Sequence, residues 1–408
     1  MNTLKPYIDS TIICISILIC FTHIEYLLWM FVMWFIIEYL LNNEIKNTKL
    51  KPINQATINY RVELACTLEI ILCFYSIFLL NTIKSVFVII NLILLYRLIK
   101  STVTNQRQLD YIKIFINIIA FVFALVTILS FGFHYLRFSQ VNIEDLSYLK
   151  HFYTPLGIIA NDWAAIFICF LPFPFSLLYT YANKVKLILI GISSFILYAI
   201  LITLSRGAIL SVLSFFLCLF IFTFLWKREY VKKLSIQILT VLVISFTFCI
   251  PIKQSLITTL EMTKTISQKR SIEGRISKWE ESLYLFQQHP IVGVGAGNYA
   301  FASYNTRGKN KKQFNPRCTN SYLQVLVEKG LIGVAMYSYL LAYVFIASYR
   351  KMKTGHWDCI VFSAGLVALC VKEFFFSSLL ENQIVLTMGL LIIFFIRFSP
   401  INTKIVLA

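Results

Sequence analysis

Long apolar runs broken by short polar clusters recur along the whole chain. Each run is about 15 to 25 residues, enough to cross a hydrocarbon core about 30 Å thick as a helix. The pattern predicts about twelve spans. They lie at 7–22, 25–41, 63–80, 83–99, 112–132, 156–178, 186–204, 207–226, 234–252, 331–349, 358–377 and 383–398. Thr22, His23 and Glu25 interrupt the first two only weakly, and one long tilted helix is the alternative there. The first run lacks a small-residue cleavage site and is followed at once by another, so it reads as an anchor. The expected fold is all-α, a polytopic transmembrane helical bundle. Residues 1–252 would hold the first nine spans, 253–330 a large outer loop, and 331–408 the last three spans.

The polar clusters set the expected orientation. Lys46, Lys49, Lys51 and Arg61, then Arg97, Lys100 and Arg107, then Lys184 and Lys186 fall on one side if the spans alternate. So do Lys227, Arg228, Lys232 and Lys233, and then Arg350, Lys351 and Lys353. Basic residues in short loops mark the cytoplasmic side, which puts both termini inside. Two longer segments lie opposite, His134 to Pro155 and Lys253 to Gly330. The second holds twelve basic and five acidic residues, a surplus of seven. Long segments cross largely regardless of charge. Their surplus then points either to anionic lipid headgroups or to an anionic substrate.

Composition narrows the class. Hydrophobic residues make up 58% of the 408, with a mean hydropathy of +0.75, which excludes an ordinary soluble domain. The net charge of +18 is largely a matter of loops, so membrane lipids, and no nucleic acid, are the expected bulk partners. Ten cysteines are scattered with no CxxC pair, so neither a disulfide framework nor a zinc site is implied.

Arg206 stands in about forty otherwise apolar residues, from Leu187 to Trp226, a length of about 60 Å as one helix. The run must fold back. Ser205-Arg206-Gly207 lies at its middle, and glycine would ease the reversal. Arg206 then sits at the outer interface, either snorkelling to lipid phosphate or serving a site.

The outer loop carries three further patterns. GRISKWEESLYLFQQHP reads as an amphipathic helix with Ile276, Trp279, Leu283 and Phe286 on its apolar face and Pro290 at its end. Arg275 and Lys278 lie one turn apart near its start. PIVGVGAGNY places Gly293, Gly295 and Gly297 as GxGxG, which matches neither the Walker nor the dinucleotide pattern. Those glycines either bring backbone amides to a phosphate or make a tight turn. Finally, NPRCTNSYLQVLVEKGLIG enters the next span, with Tyr322, Leu323, Leu326 and Val327 as its expected buried face.

Taken in order, SRG at a span start, R-x-x-x-W ahead of HPIVGVGAGNY, and TNSYLQVLVEKGLIG resemble the O-antigen ligase and O-antigen polymerase superfamily. The likeness is strongest over residues 185–350, and the span layout extends it. It implies a metal-independent glycosyltransferase, without a cofactor, in the bacterial inner membrane with its active face periplasmic. The implied donor is a glycan on undecaprenyl diphosphate. The implied acceptor is lipid A–core for a ligase, or a lipid-linked repeat for a polymerase. By motif position, Arg206 and Arg275, with Lys278 beside them, would hold the diphosphate, and Arg317 and Asn320 would position donor or acceptor. Guanidinium forks suit phosphate oxygens and stabilise a departing diphosphate.

One position departs from the ligase pattern. Asn320, nine residues and Gly330-Leu-Ile-Gly333 match it, but Thr319 stands where the ligases carry a histidine. A threonine hydroxyl is neither basic nor easily ionised and cannot serve as a general base. His289 and Glu280 are the candidate replacements, with Glu273, Glu281, His134 and His151 behind them. The vacancy favours a polymerase over a ligase. A flippase for lipid-linked sugars is the competing class, although no internal repeat supports it.

Overall fold

The computed structural model describes residues 106–139, 155, 158–250, 266–307, 318–353 and 355–375. The expected spans at 7–22, 25–41, 63–80, 83–99 and 383–398 lie outside the described residues, as do Arg317, His23 and His151. Among the described residues the regular structure is all helical. In chain order the helices are α1 (Gln106–Ser139), α2 (Ala160–Phe170), α3 (Pro172–Leu177), α4 (Asn183–Ile202) and α5 (Arg206–Trp226). There follow α6 (Arg228–Phe248), α7 (Ile266–Gln288), α8 (Tyr299–Arg307), α9 (Ser321–Met352) and α10 (Trp357–Phe375).

Among the described residues, six stretches are long and apolar enough to cross a membrane: α1, α2 with α3, α4, α5, α6 and α9. Helix α10 is not among them, and Asp358, Lys372 and Glu373 account for that. It is nonetheless buried along most of its length. The expected span at 156–178 divides at Leu171, because Pro172 and Pro174 remove two backbone donors. Helix α1 continues past its expected end to Ser139, so His134 lies on a helix rather than in a loop.

Helices α2, α3 and α10 form the centre. Almost every residue of α2 and α3 is buried, with Trp163, Phe167, Phe170, Phe173 and Phe175 wholly so. The most extensive helix–helix packing joins α5 to α10. Small residues permit it. A Cβ on Gly207 would lie 2.7 Å from Phe375 Cβ, and one on Gly365 would overlap the Pro172 ring.

The reversal between α4 and α5 differs from the expectation. Thr203, Leu204 and Ser205 make the turn, with Leu204 at φ 50°. Gly207 is already helical, and what its missing side chain provides is room for Phe375.

The helices alternate in direction, so the bundle has two distinct ends. At one end Trp357 Nε1 donates to Phe175 O at 2.8 Å, and Tyr179 stacks on Tyr230 with ring centroids 4.4 Å apart. Lys113 Nζ there meets Asp358 at 2.9 Å and Asp110 at 3.3 Å. The basic residues around 227–233 and 350–353 cluster at this end, as the charge pattern predicts. The opposite end collects the starts of α2, α5 and α9, the end of α10, and α7.

Candidate functional site

The site end is built from four segments. Ser205-Arg206 begins α5, Arg275 to Ser282 lies on α7, Cys318 to Ser321 leads into α9, and Lys372 to Phe375 closes α10. Ring contact between Trp279 and Phe374, with centroids 6.0 Å apart, joins α7 to α10. Cys318 Sγ lies 3.3 Å from Ser282 Oγ, joining α7 to the start of α9. Tyr322 Oη donates to Cys370 O at 2.9 Å, and Ser321 Oγ donates to the Glu373 carboxylate, joining α9 to α10.

Helix α7 does form, but it turns another face inward. The inward residues recur at three and four: Arg275, Lys278, Trp279, Ser282, Leu285 and Phe286. Ile276 and Leu283 are exposed. The apolar stripe read from the pattern therefore mixes two faces. The buried face carries the polar, chemistry-bearing groups, which a hydrophobic count discards. The start of α9 repeats the lesson: Ser321, Gln324 and Glu328 are buried, whereas Tyr322 is exposed.

Arg206 and Arg275, distant in sequence, are brought within electrostatic reach of each other. Burial, and then the Arg206 charge beside it, pull the Arg275 guanidinium below its ordinary value. Among the described residues neither arginine makes a salt bridge to a carboxylate. Lys278 is half-buried on the same face of α7 and acts on Cys318. Lys372 lies within reach of Glu373, Asp162 and Arg275. Among the described residues, two buried polar atoms here have no hydrogen-bond partner, Trp279 Nε1 and Thr319 Oγ1.

Asn320 has a defined local task. Its side-chain oxygen accepts from Tyr322 N at 2.9 Å and Leu323 N at 3.1 Å, capping α9. The glycine-rich loop is equally committed. Gly330, at φ 60° and ψ −161°, breaks α9. In an unbroken helix Leu331 N and Ile332 N would bond the carbonyls of Val327 and Glu328. Instead they donate to Pro290 O at 2.9 Å and Ile291 O at 3.3 Å. The freed carbonyls accept Val294 N at 2.9 Å and Gly295 N at 2.8 Å. Glu328 completes the join, accepting Gly297 N at 2.9 Å and Tyr299 N at 3.4 Å. These amides are occupied, so the loop is a clasp on α9 rather than a phosphate cradle. A Cβ on Gly293 would overlap the Glu328 backbone, and one on Gly330 the Ile291 carbonyl. Gly333 makes room for Lys329, whose ammonium reaches Tyr337 Oη at 2.7 Å.

The candidate bases are placed unequally. His289 is exposed at the far end of α7, about 21 Å along the helix from Arg275. Glu280 is exposed, off the inward face. Neither is brought to the arginine pair. Among the described residues, no group of three His, Cys, Asp or Glu side chains is placed to hold a metal ion.

The motifs, their order and their convergence agree with a comparison against known families. Residues 191–338 match the model described as O-antigen ligase. Over that stretch the chain is similar to the O-antigen ligase family. The matched stretch is a little over a third of the chain and runs from within α4 to beyond the break in α9. It contains Arg206, Arg275, Lys278, Thr319, Asn320, Gly330 and Gly333. No curated protein matches the chain. The match supports a membrane role in glycan processing and lends no support to a transporter.

Pattern reading missed Asp162, Ser321, Lys372 and Glu373. The first, third and fourth lie outside the O-antigen ligase stretch. A signal was present: Lys372-Glu373 is an ionisable pair inside an apolar run, which marks a functional position by default.

Proposed function

We propose that this chain is a polymerase that transfers a glycan from undecaprenyl diphosphate to the next lipid-linked repeat, at the periplasmic face of the inner membrane. The Arg206–Arg275 pair carries this reading. Two guanidinium groups within electrostatic reach of each other, neither in a carboxylate salt bridge among the described residues, raise the free energy of the site, and an anion between them relieves it. A diphosphate diester supplies that anion and gains charge as it departs. The acceptor oxygen attacks the anomeric carbon, the bond from that carbon to the diphosphate oxygen breaks, and the electron pair leaves with the diphosphate. Arginine forks match this developing charge. Lys278 adds a third cation from the same face of α7. Asn320 serves by fixing the start of α9.

Replacing Arg206 or Arg275 with alanine should lower transfer at least about a hundredfold, the scale of losing a transition-state electrostatic contact. The variants should still accumulate in the membrane. Full activity in R206A would sink the assignment. The matched family's description favours the ligase as a second reading, and Thr319 opposes it. A lipopolysaccharide gel of a deletion strain separates them. Core bearing a single repeat means polymerase. Bare core, with polymer accumulating on the carrier, means ligase.

A further inference from the structure

We propose that Glu373 is the terminal proton acceptor of the reaction, taking the acceptor-hydroxyl proton through the Ser321 hydroxyl. The inference rests on the transferase reading above. Thr319 occupies the position from which a base is expected, and it offers none. The next residue but one, Ser321, donates its hydroxyl to Glu373, which reaches it from α10 across 52 positions of sequence. Both residues are buried, at 1% exposure each. A carboxylate in such a position is costly unless paired or used. It stands in the same cluster as the arginine pair, since Lys372 beside it is within reach of both Glu373 and Arg275. Two buried polar atoms without a hydrogen-bond partner among the described residues lie on neighbouring segments, Thr319 Oγ1 two positions before Ser321 and Trp279 Nε1 on the ring that meets Phe374.

The proton path balances. The acceptor O–H gives its proton to Ser321 Oγ as that oxygen releases its own to the Glu373 carboxylate. The acceptor oxygen forms the bond to the anomeric carbon, and the diphosphate leaves with the electron pair. Glu373 then returns the proton to solvent or to the departing diphosphate. Among the described residues, the groups within electrostatic reach of Glu373 are Lys372 and Cys370 on α10, Cys169 on α2 and Tyr322 on α9, while Asp162 on α2 and Arg275 on α7 act on Lys372 beside it.

A purely structural tie between α9 and α10 would survive Glu373→Gln, because the amide oxygen still accepts from Ser321. The proton function would not. The test uses purified full-length protein in lipid nanodiscs with a synthetic polyprenyl-diphosphate glycan as donor and acceptor. Transfer is followed against pH, and thermal unfolding is read in parallel. We expect E373Q to unfold like the wild type and to lose about a hundredfold or more in rate. E373D should keep partial activity with its acidic limb displaced. Adding Thr319→His to E373Q should restore transfer, with a limb near the ordinary histidine range, about 6.5. An E373Q rate within about threefold of wild type overturns the proposal while leaving the transferase reading intact. If E373Q fails to accumulate, E373D decides: a displaced limb supports the proposal and an unmoved one overturns it. A wild type that never consumes the donor takes down both readings.

Discussion

The two ends of the bundle treat buried charge in opposite ways. At one end Lys113 is wholly buried and closed by Asp358 and Asp110, beneath a cluster of Tyr179, Tyr230 and Trp357. At the other, Arg206 and Arg275 are set against each other, and each lacks a carboxylate salt bridge among the described residues. The first arrangement is complete without a ligand and ties α1 to α10. The second, on the function proposed above, is left for an anionic substrate to complete. Burial of charge alone therefore does not mark a site; the sign of the nearest neighbour does.

This contrast can be broken in order of expected effect. Lys113→Met leaves two carboxylates uncompensated and should destabilise the protein by about 3–5 kcal/mol, seen as a lowered melting temperature in detergent. Transfer per folded molecule should hardly change. Gly330→Ala forces a side chain into backbone that is almost exclusive to glycine and onto the Ile291 carbonyl. It should cost about 1–3 kcal/mol, or more where the clasp opens. Arg206→Gln should have the smallest effect on stability, within about 0.5 kcal/mol or slightly favourable, because it removes a repulsion. A stability loss in R206Q matching that of K113M would erase the distinction between the ends.

Much of this was legible in the chain. The α4 and α5 runs, the direction of the helices and the basic end all follow from apolar length and loop charge. The arginine pair was legible through motif order. Three things were not. The inward face of α7 was hidden because its buried positions are Arg275, Lys278 and Ser282, which periodicity counts as outward. The exchange of backbone bonds at Gly330 involves no side-chain pattern beyond the glycines themselves. The Ser321–Glu373 contact joins residues whose separation no local rule spans.

The join between the glycine-rich loop and α9 also has a bearing on how this sequence can vary. Gly293 and Gly330 stand 37 positions apart, yet a Cβ on either would run into backbone beside the other, Glu328 and Lys329 for Gly293 and Ile291 and Val292 for Gly330. A substitution at either opens the same seam, and a change at one cannot be rescued there by any residue with a Cβ. The two glycines are thus a single heritable unit. The loop they secure is part of the scaffold, so α9 cannot shift against it at Gly330 without giving up the exchanged backbone bonds.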